Sequence, residues 1–289
     1  MEPTTTHEDD LPGCPMAGSV PRTQGGLTYG EYLKVPELLS LQISQSSPPH
    51  HDEMLFIIIH QAYELWFKLI LHEMERAIEF MRMGRILRAN HFVRRIVEVM
   101  KLLVKQIHIL ETMTPAEFLG FRDRLMPASG FQSVQFRELE FLAGLKNPSY
   151  IKAFRGQPEL QERLQRRLEG PSLRGTYYRL LRDLGYDAPA LETQQENEEH
   201  KEVMGALISI YQDPDQNLPL YLLSESLVEF DLQLGLWRQH HVKVVARSIG
   251  YKPGTGGSEG VSYLESTTTK QCFPYLWEVR TYLEKQETL

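Results

Sequence analysis

Two histidines lie at positions where an imidazole could do chemistry inside a helical protein. His60 follows Phe56 by four residues, so the spacing places both side chains on the same apolar side of a helix. His241 follows Trp237 by four residues on a second apolar stripe, while its neighbour His240 points about 100° away. An imidazole on such a stripe could be the axial ligand of an iron porphyrin, although a partly buried core histidine is the more common case.

The segment 50–53 offers a different kind of site, because it contains two histidines followed by two acids. Two histidines and one carboxylate can hold a non-haem iron. Consecutive residues at a helix start point in different directions, however, and acids are what a first helical turn prefers, so a helix start is the better interpretation. Glu64 could share a metal with His60 one turn away, but it fits equally well in a surface ion pair with Lys68.

Residues 254–260 read GTGGSEG and form the most unusual local sequence. They do not match a dinucleotide-binding loop, since position 259 is Glu where that pattern needs Gly, and they lack the Lys-Ser/Thr pair of a phosphate loop. Four glycines raise the entropy cost of ordering, so this segment is either a flexible linker or a lid that closes over a ligand. Arg122 could bind a carboxylate with its planar guanidinium, although a surface ion pair is the more common role.

Long amphipathic helices are predicted to carry these residues. Apolar side chains recur at helical spacing over 55–83, where Gly84 interrupts the pattern, and again over 86–110. Two long helices with a short break between them predict an antiparallel pair. A third long pattern over 220–249 carries His241.

Shorter helices complete the predicted fold. Thr114 followed by Pro115 and Glu117 is a helix start with a capping box, and it predicts a short helix from Pro115 toward Leu125. Further helices are predicted at 134–145, 157–169, 172–184 and 196–212. No segment alternates as a strand does, so the class is all-α, a bundle of long helices with 157–212 as a smaller helical satellite.

Composition excludes several classes of protein. The chain has 289 residues and a formal net charge of −7, which gives no overall attraction to nucleic acid or to anionic membranes. Its two cysteines support neither a disulfide framework nor a cysteine-rich metal site, and they fit a reducing cytoplasm. No uninterrupted apolar run approaches the length of a membrane span, and no signal peptide precedes the first helix. Residues 1–26 are expected to be a mobile tail, and 27–289 a single helical domain.

Several segments together resemble the tryptophan 2,3-dioxygenase family. They occur in the family's order from about residue 27 almost to the C-terminus, and their joint presence makes the resemblance strong. They are LTYGEYL at 27–33, PPHHDEMLFIIIHQ at 48–61, ELW at 64–66, GFRD at 120–123, SGFQS at 129–133, LWR at 236–238 followed by His241, and GTGGS at 254–258.

The resemblance implies a b-type haem, one per subunit and ferrous in the active state, held without a covalent bond to the chain. His241 matches the axial ligand and Trp237 the residue packed beside it. On the other haem face, His60 matches the histidine that meets the indole N–H, and Phe56 shapes the indole pocket. The matches for substrate-binding residues are a carboxylate clamp at Arg122, a head-group contact at Thr255, a pocket loop at Ser129 and Gly130, and aromatics from a neighbouring subunit at Tyr29 and Tyr32.

The implied reaction inserts both atoms of O2 across the indole C2–C3 bond of L-tryptophan and gives N-formyl-L-kynurenine, the first step of tryptophan degradation. The implied assembly is a homotetramer in the cytoplasm, with no nucleic-acid or membrane partner. Phe118 stands where some members carry Tyr, and Ala128 where Ser is common. A haem-dependent aromatic monooxygenase and a haem-binding sensor or helical scaffold remain as alternatives.

Overall fold

The computed structural model describes residues 26–188, 198–256 and 260–284, and every regular element in those ranges is helical. The predicted all-α class is therefore confirmed. The chain divides into two compact units, one ending at Ile43 and one beginning at Ser44. The boundaries expected from the sequence, a tail to residue 26 and one domain from residue 27, stay predictions, because 1–25 lie outside the described residues.

The first unit contains two short helices, α1 (Tyr29–Leu33) and α2 (Val35–Leu39). Thr28 caps α1 through the backbone N–H of Glu31, whose carboxylate accepts from the N–H of Thr28 at 2.8 Å. This reciprocal pair satisfies donors that a helix start leaves without partners. Lys34 lies between the two helices and adopts a left-handed φ of 54°. This conformation ends α1 after five residues.

The second unit is built on an antiparallel pair, α3 (His51–Arg82) and α4 (Ile86–Leu110). Gly84 has a φ of +67° in the connection, where a side chain would strain the backbone. The direction follows from the contacts between the helices, because partners rise along α4 as they fall along α3: Arg95 with Glu73, Leu103 with Tyr63, and Gln106 with Ile59. The predicted antiparallel pair is confirmed.

Helices α5 (Pro115–Arg122) and α6 (Val134–Ala143) follow, joined by 3-10 turns at Asp123–Leu125 and Gly130–Gln132. Thr114 and Glu117 form the predicted capping box at the start of α5. Gly144 ends α6 with a φ of +118°, close against Arg174, so a side chain there would meet both strain and a neighbour.

The next helices are α7 (Pro158–Glu169), α8 (Leu173–Asp183) and α9 (Glu198–Gln212), close to the predicted ranges. The predicted satellite at 157–212 proves narrower. Apolar residues of α8 and α9, such as Tyr177 and Leu207, lie in the main core. The smaller separate cluster joins α7 to the 3-10 segment Pro148–Phe154 and to Phe141. The reason is that α8 and α9 each present a continuous apolar face to the long helices, whereas α7 buries only Leu164.

The last long helix, α10 (Leu218–Ile249), ends at Ile249, as predicted, and is followed by α11 (Val261–Glu265) and α12 (Pro274–Glu278). Helix α10 runs parallel to α4, because Ser226 bonds Asn90 near their starts and His240 meets His108 near the end of α4. Asp231 of α10 accepts hydrogen bonds from the backbone of Cys272 and Phe273 and from the Trp277 indole. This buried carboxylate fixes the chain before α12 against the long helices.

Helix α3 is also long and apolar enough to cross a membrane by length and composition, and it is the one such helix among the described residues. The sequence has no uninterrupted apolar run of this length, because polar side chains such as Gln61 and Glu64 interrupt the apolar residues of α3. One such helix is weak evidence for a span, because a long core helix of a soluble protein passes the same test. Buried acids on α3, Glu53 and Glu73, have partners within the protein.

Candidate functional site

His60 has a defined tautomer. Its Nδ1 lies 2.7 Å from the carbonyl oxygen of Phe56, and a carbonyl can only accept, so the ring proton is on Nδ1. The Nε2 atom is then an acceptor, and it has no hydrogen-bond partner among the residues that the structure describes. Burial by the surrounding protein lowers the pKa of His60, although part of the residue remains exposed, and the ring is therefore neutral at pH 7.

An aromatic wall surrounds the His60 ring. The Phe56 ring centroid lies 4.0 Å from that of His60, and Phe56 also contacts Phe118 and Phe121, each at 5.7 Å. Phe121 is almost fully buried beneath these rings. Helix α5 thus supplies one side of an apolar region and α3 the other. Flat, apolar surroundings of this kind suit an aromatic ligand.

His241 lies on α10 with its ring stacked on Trp237, at 5.1 Å between centroids and 23° between planes. Its pKa is lowered to about 4, mainly by burial and, in the same direction, by the basic groups of His60 and Arg137. Among the described residues neither ring nitrogen has a hydrogen-bond partner. A neutral imidazole with an available lone pair is the form that binds iron. Tyr63, one turn after His60 on α3, lies 6.0 Å between ring centroids from Trp237, one turn before His241, so this contact joins the two helix turns that carry the imidazoles.

Packing holds the turn of α10 that carries these side chains. Trp237 sits between Tyr63, Phe67 and Phe136, with ring centroids 5.0–6.4 Å apart. The next residue, Arg238, is buried and donates to Glu140 at 2.8 Å and to the carbonyl of Lys270 at 3.0 Å. The rotation of α10 is therefore set, in the turn before His241, by groups from α3, α6 and the chain that precedes α12.

The chain before the glycine-rich segment lies against α5 and the loop that follows it. The Arg122 guanidinium donates to the carbonyl of Pro253 at 2.6 Å, and the Thr255 hydroxyl donates to the carbonyl of Ala128 at 2.5 Å. Gly256 is so close to Ser129 that an added Cβ would lie 2.5 Å from the Ser129 Cβ. Three of the predicted substrate-binding residues are thus brought together. Residues 257–259 of the predicted lid lie outside the described residues.

Ser129 and Gly130 form the start of a 3-10 turn, in which the Ser129 hydroxyl accepts from the N–H of Phe131. This turn is tied to α3 by Glu64, whose carboxylate accepts from Ser133 at 2.6 Å and from Gln135 at 2.7 Å. Sequence analysis offered a Glu64–Lys68 surface pair, but the structure gives the Glu64 oxygens to these other partners. No local spacing could have shown this, since the partners are about seventy residues away.

The segment 50–53 begins a helix, as the sequence favoured, and its residues do not converge on a metal. His50 is the N-cap of α3 and accepts from the N–H of Asp52. Glu53 is fully buried and accepts from the backbone N–H groups of Gln45 and Ser46, at 2.7 and 3.1 Å. Its pKa is lowered by these hydrogen bonds, which outweigh the opposing effect of burial. The carboxylate therefore holds the chain that enters α3.

Arg137 is a site residue that sequence analysis missed. It is buried on α6, beneath the rings of Phe136 and Tyr150, and its Nε has no hydrogen-bond partner among the described residues. Its NH1 lies 2.8 Å from the Glu140 carboxylate. Its positive charge contributes to the lowered pKa of His241, and its Nε is a buried donor that is left without a partner among these residues. In the sequence, the one signal for Arg137 is that it is a basic residue among the apolar residues of α6.

Tyr29 and Tyr32 belong to the first unit and are 78 % and 72 % exposed. Their predicted role in a neighbouring subunit's site stays a prediction. Within the second unit, by contrast, the structure assembles two neutral imidazoles, an aromatic wall, a guanidinium and a buried cation. Such an arrangement can position an aromatic amino acid against a cofactor that the second imidazole ligates.

Comparison with known proteins gives one consistent answer. The family model described as tryptophan 2,3-dioxygenase matches residues 16–200 and 152–283. A tryptophan 2,3-dioxygenase of Nocardioides sp. is 47% identical over 262 residues, 89% of this chain and 95% of the relative. The enzyme of the same name from Herpetosiphon aurantiacus is 44% identical over 89% of this chain and 98% of its own length. That of Myxococcus xanthus is 40% identical over 92% and 93%.

The matches run through both long-helix regions and cover nearly the whole of each relative, so they do not rest on one shared motif. The chain belongs to the tryptophan 2,3-dioxygenase family.

Proposed function

We propose that this protein is a haem-dependent dioxygenase that opens the indole ring of L-tryptophan with O2 and yields N-formyl-L-kynurenine, the first step of tryptophan degradation. The observation that supports the proposal is the contact between Tyr63 and Trp237, which joins the turn of α3 that carries His60 to the turn of α10 that carries His241, beside the aromatic wall around His60. Family membership gives the reaction class, and this arrangement supports assigning the reaction to these residues.

The residues present fit a b-type haem, with one group per subunit in the ferrous state. His241 has the available nitrogen that an axial ligand needs, and Trp237 fixes its ring plane. The spare donor of Arg137 suits a propionate carboxylate nearby. Covalent attachment through cysteine is not expected, because Cys14 and Cys272 are far apart in sequence and no Cys-x-x-Cys-His motif occurs. A bound ferrous haem supplies the oxygen chemistry that side chains lack.

His60 orients the substrate in this proposal. Its Nε2 is the free acceptor, so it can receive the indole N–H while Phe56 packs against the ring. The indole N–H is a very weak acid, and attack by the indole C3 does not require its removal. We therefore assign His60 to positioning by a hydrogen bond, with no obligatory proton transfer.

The amino-acid head group would be held at the other end of the aromatic wall. Arg122 offers donors to the carboxylate, and its bond to Pro253 ties it to the glycine-rich segment. Thr255 would contact the ammonium or carboxylate group, and Ser129 with Gly130 would line the pocket. If this segment closes on substrate, amide exchange of 251–256 should slow when L-tryptophan is added. Equal exchange with and without L-tryptophan would instead indicate a fixed turn.

Assembly and location complete the proposal. The exposed apolar side chains of the first unit suit contact with another subunit, and we propose a homotetramer in which Tyr29 and Tyr32 reach a neighbouring site. We place the enzyme in the cytoplasm, because its only described cysteine is a buried free thiol. Deletion of residues 1–33 should then lower both the oligomeric mass and the turnover.

Product mass is the decisive test of the reaction. The haem-loaded enzyme with L-tryptophan and O2 should give a product heavier by two oxygen atoms, and both should derive from labelled O2. A gain of one oxygen atom would identify a monooxygenase. A haem absorption band without any product would identify a sensor or scaffold, and either result would reject the proposal.

A further inference from the structure

A second cluster of metal-ligating side chains lies outside the site described above. His108 is in the last turn of α4, Glu111 caps the same helix, and His240 projects from α10. His108 Nδ1 is 3.0 Å from Glu111 Oε2, and the two imidazole rings meet edge to face with centroids 5.2 Å apart. One potential ligand atom from each residue lies within 4.8 Å of the others.

We propose that His108, Glu111 and His240 form a binding site for a divalent transition-metal ion, with Zn²⁺ as the ion that suits it best. Two imidazoles and one carboxylate are a ligand set found in zinc sites, and three protein ligands leave a fourth position for water. Tetrahedral zinc with bonds near 2.1 Å needs ligand atoms about 3.4 Å apart. His108 is more than half exposed on its side chain, so its ring can turn to close the remaining distance.

A second surface pair shows why the third donor matters. His200 Nε2 lies 2.9 and 3.0 Å from the two carboxylate oxygens of Glu278. A proton on Nε2 is enough to form a hydrogen bond between these two side chains, so the pair does not require a metal ion. No third His, Cys, Asp or Glu converges on it in the described part of the chain. At the first cluster, His240 comes from a separate helix, and its ring and that of His108 meet edge to face. Two rigid helices therefore preset the ligand spacing, which lowers the cost of binding an ion.

Zinc at this site would join the C-terminal end of α4 to α10. The ion would bind the folded chain better than the unfolded one, because the three ligands come together only when the helices pack. Bound zinc therefore stabilises the fold in proportion to the logarithm of its free concentration. The cross-link would also fix the residue immediately before His241, without contact between the zinc and the proposed haem ligand.

The test uses untagged, full-length, haem-loaded protein. A chelator first removes exchangeable metal ions and leaves the haem in place. Calorimetric titration with ZnCl2 should show a single site. The extended fine structure of zinc X-ray absorption should show scattering from two imidazole ligands. His108→Ala, Glu111→Gln and His240→Ala should each weaken zinc binding by at least about tenfold. His200→Ala is the matched control, because it removes a histidine from a carboxylate pair that lacks a third donor, and it should leave zinc affinity unchanged.

Zinc binding that survives all three substitutions would overturn the proposal, and so would a dissociation constant above about 1 mM in the unaltered chain. Zinc X-ray absorption fine structure without imidazole scattering would overturn the proposal as well. Glu111→Gln keeps the size of the side chain, so a loss of affinity in that variant at an unchanged circular dichroism spectrum supports a ligand role.

Discussion

Arg122 has two separable contacts in the proposed enzyme, and a single substitution can distinguish them. Its guanidinium donates to Pro253 in the structure, and the proposal adds a contact to the substrate carboxylate. Arg122→Met keeps much of the side chain's length and apolar stem but removes all donors and the charge. L-tryptophan should then lose both contacts, whereas tryptamine, which has no carboxylate, should lose only the one to Pro253.

The two losses differ in size. A charge-assisted bond to a carboxylate contributes about 1.5–3 kcal/mol, which corresponds to about 12- to 150-fold in kcat/KM. The bond to Pro253 is partly solvent-exposed, so its loss should cost about 0.5–1.5 kcal/mol, or about 2- to 12-fold. Since both substrates share the second loss, the ratio of their kcat/KM values should change by the first factor alone, mainly through KM.

Steady-state kinetics of Arg122→Met on both substrates, at matched haem content, measures this ratio. Arg124→Met is the matched control, because Arg124 is exposed in the 3-10 turn that follows α5. The control should leave the ratio unchanged. If Arg122→Met lowers kcat/KM equally for L-tryptophan and tryptamine, Arg122 only holds the glycine-rich segment, and the carboxylate clamp is refuted.

Three further predictions concern the histidines and two glycines. His241→Ala should abolish stable haem binding while His240→Ala retains it, and an unchanged Soret band in His241→Ala would refute the axial assignment. His60→Ala should keep haem and some turnover, whereas complete inactivity with normal haem and tryptophan binding would show that His60 acts as an obligatory base. Gly120→Ala should lower the free energy of unfolding by about 1–2 kcal/mol, because its Cβ would lie 2.8 Å from the ring that caps α3. The same change at exposed Gly205 in α9 should raise it by about 0.5–1 kcal/mol, and thermal melts that place both variants on the same side would contradict this.

The long helices could be predicted from sequence because their causes are local. Periodic apolar residues indicated α3, α4 and α10, and helix boundaries followed from residues such as Gly84 and Thr114. The two short helices after α10 were not predicted, because each has only five residues, too few to show a period. The satellite predicted at 157–212 included α8 and α9, which pack in the main core. The sequence of a helix does not show which other element its apolar face will contact.

The candidate site divides in the same way. His60 and Phe56, or His241 and Trp237, share one helix face, and that relation is visible in the spacing. The contact between Arg122 and Pro253 joins residues 131 positions apart, and no pattern encodes such a distance. Residue types at these positions became informative only through the family resemblance. Arg137 was missed because its importance comes from what surrounds it.

Burial acts alike on the two central imidazoles, and the local backbone makes them different. Both His60 and His241 have lowered pKa values because protein atoms replace water around them. The Phe56 carbonyl fixes the proton of His60 on Nδ1 and directs its lone pair outward from α3. Within the described part of the chain His241 has no hydrogen-bond partner, and its ring is instead held by stacking on Trp237, which restrains the ring plane and leaves the unprotonated nitrogen available. One imidazole is thereby suited to accept a hydrogen bond from substrate, and the other to bind a metal. The two proposed roles follow from this difference in support.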